Sequence, residues 1–175
     1  MYIVVGLGNP GEQYAHTRHN TGRMASEVVG EKVEKVKVLV PDTFMNVTGK
    51  FVAKHVKSQK AAAKLVVIYD DLDLPLGTMK VSFDRGSGGH NGLESIIKAV
   101  KTRAFVRIRV GIAPVTPSGK MKDRPAGGKE LESYILSDWK PKEMEILKKV
   151  FKKVAEAVEI LKEEGVQSAM MKFNQ

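Results

Sequence analysis

The sequence predicts an α/β fold in a single domain of residues 1–175, in which helices cover both faces of a twisted, mixed β-sheet. Two observations support this prediction. Short β-rich runs alternate along the chain with segments that carry apolar residues at helical spacing, and this alternation is typical of sheets covered by helices. The chain also has 42% hydrophobic and 28% charged residues, as ordinary globular proteins that bury a core do.

Five segments are predicted to be strands because they are short and rich in β-branched or aromatic residues. The segment 65–69 is fully apolar and runs directly into Asp70. In the last segment, aliphatic residues face one side of the strand while Arg107 and Arg109 face the other. The predicted strands are residues 2–5, 35–40, 65–69, 79–83 and 105–112.

Four segments carry the apolar spacing of helices: residues 22–29, 50–58, 93–100 and 141–164. The last is the strongest, because its apolar residues form one stripe and the lysines at 148, 149, 152 and 153 lie largely off it. We interpret these lysines as a solvated helix face. Residues 113–129 hold Pro, Gly, Ser and Lys, and we predict a long loop there.

Composition narrows the function classes. The chain has no cysteine, which excludes disulfides and thiolate chemistry. It has neither an apolar run of the roughly 18 residues that a membrane helix needs nor the pattern of an export signal, so we expect a cytoplasmic protein. The net charge of +9 favours a polyanionic partner such as nucleic acid, although charge alone does not locate a binding surface.

The stretch GLGNPG, residues 6–11, has the spacing of a dinucleotide-binding turn. Such a turn needs its third glycine to open a helix, but Gly11 leads into a polar stretch without an apolar stripe. The acidic residue expected about 20 residues later has one weak candidate, Asp42, which lies too far along the chain. We therefore predict no nucleotide cofactor and expect the glycines to give clearance around a polar site.

Polar side chains follow three predicted strands: Asn9, Asn46 and Asp70. Ligands of open α/β sheets bind beyond the carboxyl ends of strands, and loops can bring His19 and Asn91 to the same edge. This set suits hydrolysis by an activated water. A neutral imidazole can take a proton near pH 7, a carboxylate can hold its tautomer, and amides can stabilise an oxyanion.

Four segments, GLGNPGEQYAHTRHNTG, PDTFMNVTG, VVIYDDLDLPLG and GSGGHNGLESI, occur in this order and resemble the bacterial peptidyl-tRNA hydrolases. A weaker resemblance continues through RIRVGI and the C-terminal MMKFN, so it spans nearly the whole chain. It implies a monomeric, metal-free and cofactor-free esterase. Such enzymes cut the bond between a peptide and the 3′-terminal ribose of tRNA, and so recycle tRNA from aborted translation.

The resemblance also implies roles for individual residues. His19 would be the catalytic histidine, and Asp70 its partner. Tyr14 and Met45 would line the crevice that holds the substrate. Lys80 and Arg109 would bind tRNA phosphates. The residues that would hold the substrate are asparagines, namely Asn9, Asn46 and Asn91.

The chain departs from the family pattern in two respects. The stretch between His19 and Phe44 is shorter than in the family, where another strand or hairpin usually intervenes; either this version is compact or residues are absent. Ser82 stands where a second basic phosphate contact often lies, and Ser87 replaces a common histidine of the glycine-rich loop. Both serines weaken the inference, made from the resemblance, about how tRNA is bound in detail.

Other interpretations stay open at this point. The chain could be an RNA-binding relative that has lost catalysis, against which the intact His19 and Asp70 argue, or, more remotely, a dinucleotide-dependent oxidoreductase. We expect His90 to orient the GGHNG loop, and Asp71 and Asp73 to be turn or cap residues. The lysine-rich face of the last helix is a further candidate for tRNA contact.

Overall fold

The computed structural model describes residues 1–175 and contains one five-stranded sheet and seven helices. The strands are β1 (Tyr2–Gly6), β2 (Val36–Leu39), β3 (Leu65–Pro75), β4 (Met79–Phe83) and β5 (Val106–Ala113). The helices are α1 (Thr21–Lys32), α2 (Thr48–Ala53), α3 (Gln59–Ala62), α4 (Asn91–Val100), α5 (Lys129–Ile135), α6 (Pro141–Glu164) and α7 (Val166–Phe173). Three short 3₁₀ turns complete the structure, at Glu12–Tyr14, Arg18–Asn20 and Met45–Val47.

The sheet has the strand order β2-β1-β3-β5-β4. The first four strands in this order are parallel, and β4 runs antiparallel to β5, which confirms the predicted mixed sheet. The carboxyl ends of β1 and β3 lie side by side, with Gly6 in register with Ile68. The loop that follows β1 therefore meets the second half of β3, which begins at Asp70.

Helices cover both faces of the sheet, as predicted. In β1, Val4 belongs to a core beneath α1, α6 and α7, while Val5 belongs to a second core beneath α2, α3 and α4. In β3, Ile68 lies in the first core and Tyr69 in the second. Successive side chains of a strand point to opposite faces, so each central strand contributes to both cores.

The two arginines of β5 face the second side of the strand as predicted, but this side is covered as well. Arg107 is fully buried and its guanidinium lies 4.0 Å from the ring centroid of Phe105. It donates hydrogen bonds to the carbonyl oxygens of Arg103, Phe105 and Arg85. Burial lowers the pKa of Arg107 to about 10. This side chain ties the loop after β4 to the sheet.

Some predicted bounds were wrong. The helix predicted over residues 50–58 ends at Ala53, because Ser58 is extended and its hydroxyl accepts the Ala61 N–H to begin α3. Strand β3 continues six residues beyond its apolar run, to Pro75, since Asp70, Asp71 and Pro75 still pair with β5. Helices α3, α5 and α7 were not predicted.

A short connection joins α1 to the edge strand of the sheet. Residues 33–35 lead directly from α1 into β2, which pairs with β1 along four residues. No strand intervenes between His19 and Phe44 other than β2 itself. None of the helices combines the length and the apolar character that crossing a membrane requires.

Candidate active site

His19 and Asp70 meet at the carboxyl edge of the sheet. His19 lies in the 3₁₀ turn Arg18–Asn20 that follows β1, and Asp70 lies in β3. The Nδ1 atom of His19 is 2.8 Å from Oδ2 of Asp70. Both residues are buried, with exposures of 8% and 5%. The two side chains were predicted to lie at one edge of the sheet, and the fold brings them into direct contact.

A second histidine contacts the same carboxylate. The Nε2 atom of His90 is 2.8 Å from Oδ1 of Asp70, and its Nδ1 accepts a hydrogen bond from the backbone N–H of Leu93, 3.3 Å away, at the start of α4. Because Nδ1 is an acceptor there, the proton of His90 is on Nε2 and is donated to Asp70. From the sequence, His90 was expected only to orient its loop.

These contacts set the protonation of the pair. Burial alone raises the pKa of Asp70, but the electrostatic attraction and the hydrogen bonds of the neighbouring His19 and His90 rings outweigh burial and hold this pKa well below its usual range. Burial lowers the pKa of His19, and the charge and hydrogen bond of Asp70 more than offset it, so the pKa lies above 6.5. An ionised Asp70 accepts the Nδ1 proton of His19, which leaves Nε2 of neutral His19 as a base.

The turn that carries His19 is braced by the C-terminal part of the chain. The guanidinium of Arg18 lies between the rings of Tyr134 and Trp139, 4.6 and 4.7 Å from their centroids, and pairs with Glu143 at 3.1 Å. The indole N–H of Trp139 donates to the hydroxyl of Thr21. Residues more than 100 positions away thus hold His19 in place.

Asn9 is fixed by its neighbours rather than free. Its backbone N–H donates to Oδ1 of Asn20, and its carbonyl accepts from Nδ2 of the same residue. Its side-chain oxygen accepts the backbone N–H of Met45 at 2.8 Å. Asn9 therefore joins the turn of His19 to the 3₁₀ turn Met45–Val47, and its Nδ2 has no intramolecular acceptor.

Asn46 and Asn91, by contrast, are exposed and their side chains form no intramolecular hydrogen bond. The two turns that carry them pack tightly, because a β carbon on Gly92 would lie only 2.4 Å from the sulfur of Met45. Met45 is thus a buried spacer between the two amides. Nearby, the ring of Tyr14 meets that of Phe44 edge-on, with centroids 6.3 Å apart.

The glycines of GLGNPG do not open a helix. Gly11 has φ of +102° and leads into a 3₁₀ turn, and α1 begins only at Thr21. Gly6 instead gives clearance to α1, since a β carbon there would lie 2.2 Å from the carbonyl oxygen of Gly22. The pyrophosphate site of a dinucleotide fold, at a helix N-terminus, has no counterpart in this motif.

A cleft of about 190 Å³ opens beside the His19–Asp70 pair, with Asn91 and His90 in its lining. Three arginines also line it. Arg109 is 7% exposed, and its Nε donates to Asp71 at 2.7 Å. Both terminal nitrogens of Arg109 are without an intramolecular partner. The other two lining arginines are Arg85 and Arg124.

The remaining cationic side chains near the cleft differ in whether a carboxylate pairs with them. Arg124 pairs with Asp73 at 2.9 Å, whereas Arg85 is exposed and has no carboxylate within 4.0 Å. Lys80 is exposed on β4 and lies directly opposite Arg109 of β5, so the two side chains share one face of the sheet. Lys80 does not line the cleft.

One group of side chains is close enough to share a metal ion. The candidate ligand atoms of His19, Asp70 and His90 all lie within 4.8 Å of one another. Here they are joined instead by two hydrogen bonds of 2.8 Å.

Three residues contribute to the site in ways that the sequence did not predict: one is the second donor to Asp70, one supports the His19 turn and one is an unpaired cation at the cleft. They are His90, Arg18 and Arg85. Arg18 and His90 lie within the quoted motifs TRHN and GSGGHNG, and Arg85 directly precedes the second motif, so their neighbourhood carried a signal. The partners of Arg18 and His90, however, come from strands or helices elsewhere in the chain.

A family model described as peptidyl-tRNA hydrolase matches residues 3–35 and 26–175, which together are nearly the whole chain. The chain belongs to the peptidyl-tRNA hydrolase family. The match falls into two segments that overlap at residues 26–35, between His19 and Phe44.

Individual relatives agree with this membership. The peptidyl-tRNA hydrolase of Pseudothermotoga lettingae is 35% identical over 191 positions, which cover 99% of this chain and 97% of the relative. That of Koribacter versatilis is 37% identical over 196 positions, covering 99% and 92%. The crystal structure of the family member from Acinetobacter baumannii superposes with a TM-score of 0.85 at 27% identity, covering 99% of this chain and 94% of that one. The predicted family and fold class are thereby confirmed.

Proposed function

We propose that this chain hydrolyses the ester bond between a peptide, or another N-blocked aminoacyl group, and the 3′-terminal ribose of tRNA. In this way it recycles peptidyl-tRNA released during translation. The observation that carries the proposal is the contact of His19 with the buried Asp70, at a cleft that also reaches Asn91, in a chain of the peptidyl-tRNA hydrolase family. We further propose that it acts as a single-domain monomer in the cytoplasm.

In the proposed reaction, Nε2 of His19 takes a proton from a water molecule while the water oxygen attacks the ester carbonyl. The carboxylate of Asp70 stabilises the imidazolium that forms. His19 then returns the proton to the ribose oxygen as the C–O bond breaks. The products are a peptide with a free carboxylate and a tRNA with a free terminal hydroxyl. His19 alone carries the proton in this scheme, and Asp70 stays ionised throughout.

The three asparagines form hydrogen bonds with the acyl part of the substrate. Asn46 and Asn91 have unpaired amides at the surface, and they suit the carbonyl and N–H of a peptide bond. Asn9 offers its free Nδ2 as a neutral donor to the oxyanion. Tyr14 and Met45 belong to the walls of this site, Met45 chiefly by holding its neighbour Asn46 in position.

The tRNA is held by cations beside the cleft. Asp71 holds Nε of Arg109 and leaves both terminal nitrogens of the guanidinium available for a phosphate. Lys80 stands opposite on the same face. Arg85 lines the cleft without a carboxylate partner and is a third phosphate contact. It supplies the positive charge that Ser82 lacks.

The experiment is release of tRNA from N-acetyl-aminoacyl-tRNA by the purified protein, with His19→Ala as the control for contaminating activity. We expect tRNA to appear with the parent and not with the variant. A parent protein that binds the substrate without releasing tRNA would instead be an RNA-binding relative that has lost catalysis.

A further inference from the structure

A groove of about 440 Å³ lies beside the catalytic cleft, between helix α4 and the segment 46–50 that leads into α2. Six of its eight lining residues are polar or charged, and the lining includes Lys50, Glu94, Lys98 and Ala99. None of these side chains takes part in the reaction described above. The volume falls within the range of sites that bind small organic ligands, about 300 to 1,000 Å³.

The groove adjoins the catalytic cleft. Asn91 lines both the catalytic cleft and the groove, and Asn46 lines the groove. The arginines that would meet tRNA line the cleft and are absent from the groove. A substrate with its ester at His19 and its acyl amide at the two asparagines must continue away from the tRNA, which places its next residues in the groove.

We propose that this groove binds the peptide residues that precede the ester-bearing residue, and that Lys50 and Lys98 favour acidic side chains at those positions. This inference rests on the proposed function, because only a substrate with a peptide attached to tRNA has such residues.

The walls of the groove are held rigidly. The backbone N–H of Gly49 donates to the hydroxyl of Ser95 at 2.8 Å, and a β carbon on Gly49 would lie 2.0 Å from the carbonyl oxygen of Ser95. Helices α2 and α4 therefore meet backbone to backbone below the groove. A site that is already formed binds an extended peptide without first ordering its own walls.

The charge of the groove is positive. Lys50 has no carboxylate within 4.0 Å, and Lys98 makes only a loose contact of 3.8 Å with Glu94, in which both side chains are largely exposed. The lining thus contains two lysines and one glutamate, so positive charge is in excess. An exposed ion pair contributes about 0.2 to 1 kcal/mol, so one acidic side chain should raise kcat/KM by up to about fivefold.

The test compares tripeptidyl-tRNAs that share one esterified residue and carry two Glu, two Gln or two Lys residues before it, with N-acetyl-aminoacyl-tRNA as the reference. For the parent we expect kcat/KM to fall in the order Glu, Gln, Lys, mainly through KM. The preference should shrink as salt rises, because exposed charges are screened.

Two variants probe the groove itself. In K50Q/K98Q the ratio of kcat/KM between the Glu and Lys substrates should approach one, whereas Lys148→Gln, on the exposed face of α6, should keep the parent's ratio. Ala99→Phe fills the groove and should remove the advantage of tripeptidyl-tRNA over N-acetyl-aminoacyl-tRNA.

Equal kcat/KM for the Glu and Lys substrates, or a preference that survives in K50Q/K98Q, would overturn the charge selection. An Ala99→Phe variant that slows all substrates equally would overturn the placement of the peptide. If the parent hydrolyses N-acetyl-aminoacyl-tRNA and yet ignores the preceding residues, the groove proposal alone fails. If it hydrolyses no substrate, the proposed function fails with it.

Discussion

Replacing Asp70 by Asn tests how the carboxylate controls His19. Asp70 accepts one N–H from His19 and another from His90, but an amide offers one acceptor and one donor. If the amide nitrogen faces His90, it meets the Nε2 proton, which cannot move because Nδ1 of that ring accepts from Leu93. If it faces His19, the proton of His19 moves to Nε2 and the base is lost.

The loss of charge sets the size of the effect. Two unit charges about 4 Å apart attract by about 4 kcal/mol at an effective dielectric constant of about 20. Since 1.36 kcal/mol is a factor of ten in rate, Asp70→Asn should lower kcat by about 10³, provided that His19 becomes an imidazolium in the transition state.

The pH profile should shift as well. His19 acts as a base only when neutral, so kcat/KM of the parent should fall as pH drops through its raised pKa. In the variant the carboxylate is gone while burial remains, and the pKa of His19 should lie below 6.5. The acidic limb of the profile should therefore move to lower pH.

The assay is the initial rate of hydrolysis of N-acetyl-aminoacyl-tRNA between about pH 5 and pH 9, where an imidazole base titrates. Asp73→Asn is the matched control, because Asp73 lies in the same strand but is exposed and pairs with Arg124. Turnover of Asp70→Asn within about tenfold of the parent, or an acidic limb that stays in place, would refute the reasoning.

Three further predictions concern other residues. His19→Ala should lower turnover by about 10²–10⁴, the usual contribution of a general base, without a change in the circular dichroism spectrum. The parent should hydrolyse N-acetyl-aminoacyl-tRNA faster than free aminoacyl-tRNA, because Asn46 and Asn91 offer neutral hydrogen bonds to an acylated nitrogen, whereas an α-ammonium must be desolvated. Lys80→Ala and Arg109→Ala should each raise KM on full-length peptidyl-tRNA with kcat nearly unchanged, and should lower the log–log salt slope by about 0.7 to 0.9.

Each of these three predictions would be contradicted by a specific result. Near-normal turnover of His19→Ala would remove it as the base. Equal rates with and without N-acetylation would show that the asparagines do not recognise the acylated nitrogen. A peptide esterified to a single nucleoside is the control for the phosphate contacts: Lys80→Ala and Arg109→Ala should match the parent on it, and equal damage on both substrates would move these residues into the catalytic site.

Local patterns in the sequence predicted much of the fold. The bounds of β4 and α6 agree with prediction to the residue, because alternation in a strand and a helical stripe depend on nearby residues only. The bounds of β3 did not follow from hydropathy, since beyond the apolar run Asp70, Asp71 and Pro75 extend the strand by pairing with β5. Such pairing depends on a partner almost 40 positions away.

The sequence by itself determined the family, the mixed sheet and the placement of His19 and Asp70 at one edge of that sheet, because residues that follow neighbouring parallel strands share one edge. Only the tertiary structure decided that Asp70 also accepts from His90, and that Arg109 reaches the cleft already bonded to Asp71. These contacts join residues 20 and 38 positions apart. They depend on where a loop returns and which strands become neighbours, which no short-range pattern in the chain encodes.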